Sequence, residues 1–156
     1  MRYRQAIALL ALVGLFVALY LWLHALGFGG AIKCGASGGC ETVQTSPWAV
    51  LLGMSVAFYG VVGYFALLIV ALAGLRPAAL SQRPWSLLLL GLATVGVVFS
   101  AYLTYVELFL IHAICRWCVG SAVIITLIWV VSLLSLRSPG IRTDHAASRP
   151  PRDLPV

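Results

Sequence analysis

Four long apolar stretches dominate the chain, and short polar or glycine-rich segments separate them. Each stretch is nearly free of charged residues, whereas a surface helix of a soluble protein places polar residues on one face at every turn. Helices of about 20 apolar residues match the thickness of a bilayer. We therefore predict an all-α integral membrane protein, a four-transmembrane-helix bundle with helices at about residues 6–26, 48–75, 85–110 and 115–136.

The longest polar connection is the outer loop at residues 27–47. Glycine, alanine and serine surround Cys34 and Cys40, a composition that resists helix formation and predicts a mobile segment. Ser46 and Pro47 read as an N-cap followed by proline at the first helical position, which predicts that the second helix begins at Trp48. Residues 1–136 are then one membrane domain, and residues 137–156, rich in proline and arginine, are predicted to be a disordered cytoplasmic tail.

The composition excludes a soluble domain, because 62% of the residues are hydrophobic, 9% are charged and the mean hydropathy is +1.05. A net charge of +6 would suit a nucleic-acid partner, but the basic residues are sorted by side. With four spans, the side of the two termini carries Arg2, Arg4, Arg76, Arg83, Arg137, Arg142, Arg149 and Arg152, and the other side carries only Lys33 and Arg116. By the positive-inside rule both termini are cytoplasmic, so all four cysteines face the outer, oxidising compartment.

The C-x-x-C motif from Cys115 to Cys118 is the strongest chemical signal in the sequence. At the start of a helix this spacing brings two thiols within disulfide reach, and the helix N–H groups together with Arg116 stabilise a thiolate. We expect Cys118 to be the acidic thiol. Together with Cys34 and Cys40, the motif is compatible with structural disulfides, a tetrathiolate zinc site or two dithiols that exchange electrons. We favour two dithiols that exchange electrons. The C-x5-C spacing is unusual for a zinc site, and a structural disulfide adds little stability to a helix that the lipid bilayer already holds in place.

Glu107 is the only carboxylate within a predicted span. An ionisable group in such a position is a functional candidate, although a glutamate within a turn of the interface can also be merely hydrated. His112 lies in the short link before Cys115. Both residues are candidates for proton transfer beside the dithiol.

Several motifs, in their order along the chain, resemble bacterial members of the vitamin K epoxide reductase family. They are the C-x5-C loop, the run GCETVQTSPWA, Phe58-Tyr59-Gly60 followed by Tyr64, Ser100-x-Tyr102-Leu103, and the C-x-x-C of the fourth helix. The resemblance covers about residues 6–136. Quinone-coupled proteins of the DsbB type also have four spans and two cysteine pairs, but their pairs occur in the reverse order.

The resemblance implies a quinone, either menaquinone or ubiquinone, held near Cys118 and contacted by Ser55, Phe58, Tyr59 and Tyr102. It also implies that the loop cysteines exchange electrons with a thioredoxin-like partner, here expected to be a separate, DsbA-like protein because little chain follows the fourth helix. The asparagine and tyrosine that contact vitamin K in the animal enzymes correspond to Val56 and Ala122. A respiratory quinone is therefore favoured over an epoxide.

The expected function is that of a quinone-coupled thiol-disulfide oxidoreductase in the bacterial cytoplasmic membrane, with its site on the outer face. In this scheme the partner attacks Cys34, Cys40 passes the electrons to Cys115, and Cys118 delivers them to the quinone. The alternative is a non-enzymatic membrane scaffold or channel subunit in which the four cysteines only brace the outer face.

Overall fold

The computed structural model describes residues 2–28, 30, 39–75 and 83–137. Its elements in chain order are α1 (Arg2–Ala25), α2 (Gly39–Thr45), a 3₁₀ turn (Pro47–Ala49), β1 (Val50–Leu51), β2 (Met54–Ser55), α3 (Val56–Ala73), α4 (Arg83–Val106), a π-helix (Glu107–Ile111) and α5 (Arg116–Arg137). Cys34, most of the predicted outer loop, the turn at residues 76–82 and the predicted tail beyond Arg137 lie outside the described residues.

Four of these helical segments are long and apolar enough to cross a membrane: Tyr3–Ala25, Val56–Ala73, Pro84–Ile111 and Arg116–Arg137. This confirms the predicted all-α, four-transmembrane-helix bundle. In the interior α1 packs against α3 and α5, and α4 packs against α5. The interior contacts use many small side chains, such as Ala11, Ala71 and Ala93, which let helix backbones approach closely. Most of the large apolar side chains on the outer faces of the helices are exposed, as expected for surfaces in contact with lipid.

A tyrosine joins three helices in the middle of the bundle. The ring of Tyr64 on α3 is buried, and its hydroxyl donates a hydrogen bond to the backbone oxygen of Ser121 on α5 at 2.8 Å. The same ring lies against Gly14 of α1, where an added Cβ would overlap the ring carbon Cε1. Gly14 is therefore needed for this close approach of α1 to α3.

We expect Gly14→Ala to lower the stability of the bundle by about 1–3 kcal/mol, the usual cost of adding a methyl group to a packed interior. Gly91→Ala on α4 is the matched control, because an added Cβ there meets no atom within 4 Å. That change should be neutral or slightly stabilising, since alanine favours helix over glycine by up to about 1 kcal/mol. Thermal unfolding of both variants in detergent measures the difference; equal midpoints would contradict this account of Gly14.

The second membrane helix begins later than the sequence predicts. The prediction of a helix from Trp48 is wrong, because Pro47–Ala49 forms one 3₁₀ turn and a short antiparallel hairpin of β1 and β2 follows before Val56. Leu52 and Gly53 at the hairpin turn have positive φ angles of 53° and 82°, which a right-handed helix does not tolerate. Ser55 provides the N-cap, and its side chain accepts a hydrogen bond from the Ala57 N–H. The Ser46 side chain makes no cap hydrogen bond.

The outer loop is also more structured than its composition suggests. Gly39 and Cys40 begin α2, so the prediction of a loop throughout residues 27–47 is wrong for its last third. An added Cβ at Gly39 would lie 2.6 Å from the backbone oxygen of Ile114. The glycine thus allows α2 to dock against the chain just before Cys115, which is a packing role as well as a conformational one.

Candidate redox site

The C-x-x-C motif lies at the start of α5, as the sequence predicts. Cys115 directly precedes the helix and is fully buried, while Cys118 is the third helical residue and is partly buried. Both are free thiols, and their side chains are hydrogen-bonded to each other. The pair is therefore a reduced dithiol whose sulfur atoms can form a disulfide without movement of the helix.

A π-helix positions a carboxylate beside this dithiol. The π-helix at Glu107–Ile111 widens the end of α4, and His112 then adopts the left-handed conformation with φ 54°. This turn closes with a hydrogen bond of 3.2 Å from the Ala113 N–H to the Glu107 backbone oxygen. Single π-helical turns inside α-helices occur frequently at functional sites. Here the distortion brings the chain back so that Glu107 faces the start of α5.

The side chain of Glu107 contacts both cysteines and is only 5% exposed. Its Oε2 accepts a hydrogen bond of 3.2 Å from the backbone N–H of Cys115, and the carboxylate is also hydrogen-bonded to the Cys118 thiol. A buried carboxyl group in contact with a thiol can accept the proton that the thiol loses on oxidation. This packing is incompatible with the alternative in which Glu107 is only a hydrated interfacial residue.

The acidic thiol in the structure is Cys115. The hydrogen bond from the Cys118 side chain, followed by backbone N–H groups of the first helical turn at Cys118 and Trp117, lowers the pKa of Cys115 below its ordinary value. Burial and the negative charge of Glu107 oppose this shift without cancelling it. Sequence reasoning named Cys118 instead, because it could not show that Cys115 occupies the position before the helix, where the N–H groups converge.

The ordinary pKa of a free cysteine thiol is about 8.5. Alkylation of Cys115 in the reduced protein should therefore reach half of its maximal rate at a pH below this value. The thiolate is present above the lowered pKa, and its reactivity falls as the pH drops through that value. Trypsin cleaves after Arg116, so mass spectrometry can follow Cys115 and Cys118 on separate peptides. In Cys118→Ala the midpoint should rise, because the main hydrogen bond is lost; a wild-type midpoint at or above 8.5 would contradict the assignment.

Cys40 lies next to the dithiol in the packing of the outer end of the bundle. Cys40 and Cys115 are both fully buried in one apolar cluster with Leu21, Val43 and Ala57. Cys40 is disulfide-bonded, whereas Cys115 and Cys118 are free, so the disulfide of Cys40 involves neither of them. Its predicted partner, Cys34, lies outside the described residues. Within the described residues no group of three His, Cys, Asp or Glu side chains could hold a metal ion.

A pocket lies beside Cys118 and Glu107. It is formed by the segment from Val43 to Ala49, the first residue of α3, the last turn of α4 and the π-helix, with about 320 Å³ of empty space including its mouth. The walls are apolar except for Gln44, Ser46, Glu107 and Cys118. A flat ring with few polar atoms suits such walls.

The four residues that the sequence reasoning assigned to the quinone do not line this pocket. Ser55 caps α3, Phe58 packs against Trp22 with 5.3 Å between ring centroids, and the Tyr59 hydroxyl donates a hydrogen bond of 3.0 Å to the Leu51 backbone oxygen. Tyr102 is 45% exposed on the outside of α4. His112 is exposed in the link before Cys115 and also lies outside the pocket lining. These assignments assumed that aromatic residues near the motif face inward.

The sequence reasoning identified Glu107 and Cys118 but missed other residues that line the pocket. Gln44 and Trp48 come from the segment that was expected to be loop and helix start. One signal could have identified Gln44: it is four residues after Cys40, and this spacing puts two side chains on the same face of a helix. That signal required knowing that α2 exists.

Four apolar helices packed below a buried dithiol, a neighbouring disulfide and a carboxylate define an integral membrane protein with a thiol redox site. The family model described as the vitamin K epoxide reductase family matches residues 5–133. The chain therefore belongs to the vitamin K epoxide reductase family, which confirms the resemblance seen in the motifs. Membership implies a membrane thiol-disulfide oxidoreductase of a kind that is generally quinone-linked and works with a thioredoxin-like redox partner.

Proposed function

We propose that this protein oxidises a DsbA-like partner on the outer face of the bacterial cytoplasmic membrane and passes the electrons to a membrane quinone, so that it supports disulfide formation. The quinone is menaquinone or ubiquinone, and both termini of the protein are cytoplasmic. The asymmetry of the basic residues supports this orientation, because it puts the four cysteines in an oxidising compartment.

The observation that carries the proposal is the packing of the cysteines against one another and against the pocket. Cys40, in a disulfide, is packed in one cluster with the reduced dithiol of Cys115 and Cys118, and Cys118 reaches the pocket. This is the arrangement expected after the loop pair has passed its electrons to the α5 pair. A module that only braces its outer face needs neither a pocket beside Cys118 nor a carboxylate in contact with both cysteines, so these features support the enzyme over the scaffold.

The thiol steps balance as two successive exchanges. The partner dithiol reduces the Cys34–Cys40 disulfide and is itself oxidised. The Cys40 thiolate then attacks the Cys115–Cys118 disulfide at Cys115, which forms a Cys40–Cys115 bond and releases Cys118 as a thiolate. Attack by Cys34 on Cys40 restores the loop disulfide and releases Cys115 as a thiolate. The lowered pKa of Cys115 supports this order, because an acidic thiol is a good leaving group.

The residues around Cys118 fit a quinone head group. The pocket offers apolar walls for a ring and a few polar groups for its oxygen atoms, and Cys118 and Glu107 share that lining. When bound, a quinone supplies an acceptor for two electrons and two protons. Glu107 would take the proton of Cys118 as the α5 disulfide re-forms, and His112, exposed at the outer face, would exchange protons with the surrounding water.

The test uses the purified full chain in nanodiscs. The protein is reduced, the reductant is removed, and ubiquinone-1 or menaquinone-1 is added while quinone absorbance is recorded. Stoichiometric reduction of quinone, together with oxidation of Cys115 and Cys118, is expected. If neither quinone is reduced and the masses of both cysteine pairs stay unchanged, the result would favour the alternative function of a non-enzymatic membrane scaffold.

A further inference from the structure

Gln44 presents a buried polar atom that has no partner in the described structure. Its side-chain Oε1 is shielded from solvent and makes no hydrogen bond. A buried oxygen without a partner costs about 1–3 kcal/mol, so such an atom in a native protein needs an explanation. Gln44 lines the pocket that also contains Glu107 and Cys118.

The other polar groups of the pocket are already engaged. The Ser46 hydroxyl donates to the backbone oxygen of Val43 at 2.7 Å. Glu107 is hydrogen-bonded to the backbone of Cys115 and to the Cys118 thiol. The carboxamide oxygen of Gln44 is a buried polar atom of the pocket-lining residues that makes no hydrogen bond within the described structure.

We propose that Gln44 is a specificity residue that hydrogen-bonds an oxygen of the quinone head group; this proposal rests on the function proposed above. A carboxamide carries both an acceptor oxygen and a donor nitrogen. It can donate to the carbonyl of an oxidised ring and, after rotation about its last side-chain bond, accept from the hydroxyl of a reduced ring. The residue can thus hold both substrate and product in the orientation that Cys118 requires.

The position of Gln44 links the head group to the loop cysteine. Cys40 and Gln44 are one helical turn apart on α2, and Gly39 at its start is docked against the chain before Cys115. The same short helix therefore holds the electron-donating cysteine against Cys115 and the carboxamide against the pocket.

Gln44→Met tests the proposal, because methionine has a similar length and no hydrogen-bonding amide. Binding of ubiquinone-1 is measured on the oxidised protein, which has no dithiol to reduce it. Quenching of tryptophan fluorescence reports the binding, since Trp48 lines the pocket, and Trp48→Phe should remove that signal. We expect the Kd of Gln44→Met to rise roughly tenfold, the usual worth of one hydrogen bond in a buried site. Gln5→Met on the exposed surface of α1 is the matched control and should leave the Kd unchanged.

Two further measurements decide between binding and structural roles. The melting temperature of Gln44→Met should be unchanged or higher, because the variant removes a buried polar atom without a partner. Exchange between Cys40 and Cys115 should keep its rate. If the wild-type protein reduces quinone but Gln44→Met binds it with an unchanged Kd, only the proposed role of Gln44 is wrong. A lowered melting temperature of Gln44→Met would also contradict that role. Failure of the wild-type protein to bind or reduce quinone would overturn both proposals.

Discussion

Cys118→Ala should abolish quinone reduction, with a loss on the order of 10³-fold or more, as when a covalent nucleophile is removed from an enzyme. Cys118 is the cysteine that lines the pocket, so its sulfur is the one that can meet the quinone. Without it the α5 disulfide cannot form, and electrons that arrive at Cys115 have no exit. The measurement is single-turnover reduction of ubiquinone-1 by the pre-reduced variant.

The same variant should trap the step between the two cysteine pairs. The Cys115 thiolate can attack the loop disulfide at Cys40 and release Cys34, but the thiol that would expel Cys40 from Cys115 is gone. Cys34 can still attack Cys40 and reverse this step, so the Cys40–Cys115 crosslink should be present in a fraction of the protein, and peptide mass spectrometry should find α2 joined to the start of α5. In Cys34→Ala/Cys118→Ala, oxidised with diamide, both resolving thiols are absent, so the crosslink should become the dominant species. If Cys115 stays unpaired in both variants under oxidising conditions, disulfide exchange between Cys40 and Cys115 does not occur and the proposed electron transfer is wrong.

Glu107→Gln should slow quinone reduction by about 10²-fold, the lower end of what a general acid or base contributes. The amide keeps the shape of the side chain and can still accept the Cys115 N–H, but it cannot take the Cys118 proton. Thiol exchange should not slow. The negative charge of Glu107 raises the pKa of Cys115, and its removal should lower that pKa further.

The control for this prediction is Glu41→Gln, since Glu41 is an exposed glutamate on α2, close to the site but outside the pocket lining. It should leave quinone reduction at the wild-type rate. The two half-reactions are measured apart, by quinone absorbance and by the appearance of the Cys40–Cys115 crosslink after rapid acid quenching. If Glu107→Gln slows both steps equally, the carboxylate holds the start of α5 in place rather than transferring protons.

The sequence by itself determined the membrane class, the number of spans and the family, because apolar length and motif order are local properties of the chain. It also identified Glu107 and the dithiol at the head of α5, since a lone carboxylate in an apolar run and a C-x-x-C spacing need no tertiary information. These features held in the structure because no long-range packing competes with them.

Only the tertiary structure decided what surrounds the dithiol. Positive φ angles at Leu52 and His112 end or delay helices that the hydrophobic pattern would continue, and a composition rich in glycine hid the short helix α2. The pocket lining follows from these irregular segments, so it includes Gln44 and does not include Tyr59 or Tyr102. The acidity of Cys115 depends on which sulfur precedes the helix and which neighbours donate to it. The residues that line the pocket come from segments far apart in the chain, and spacing along the sequence does not show that they meet.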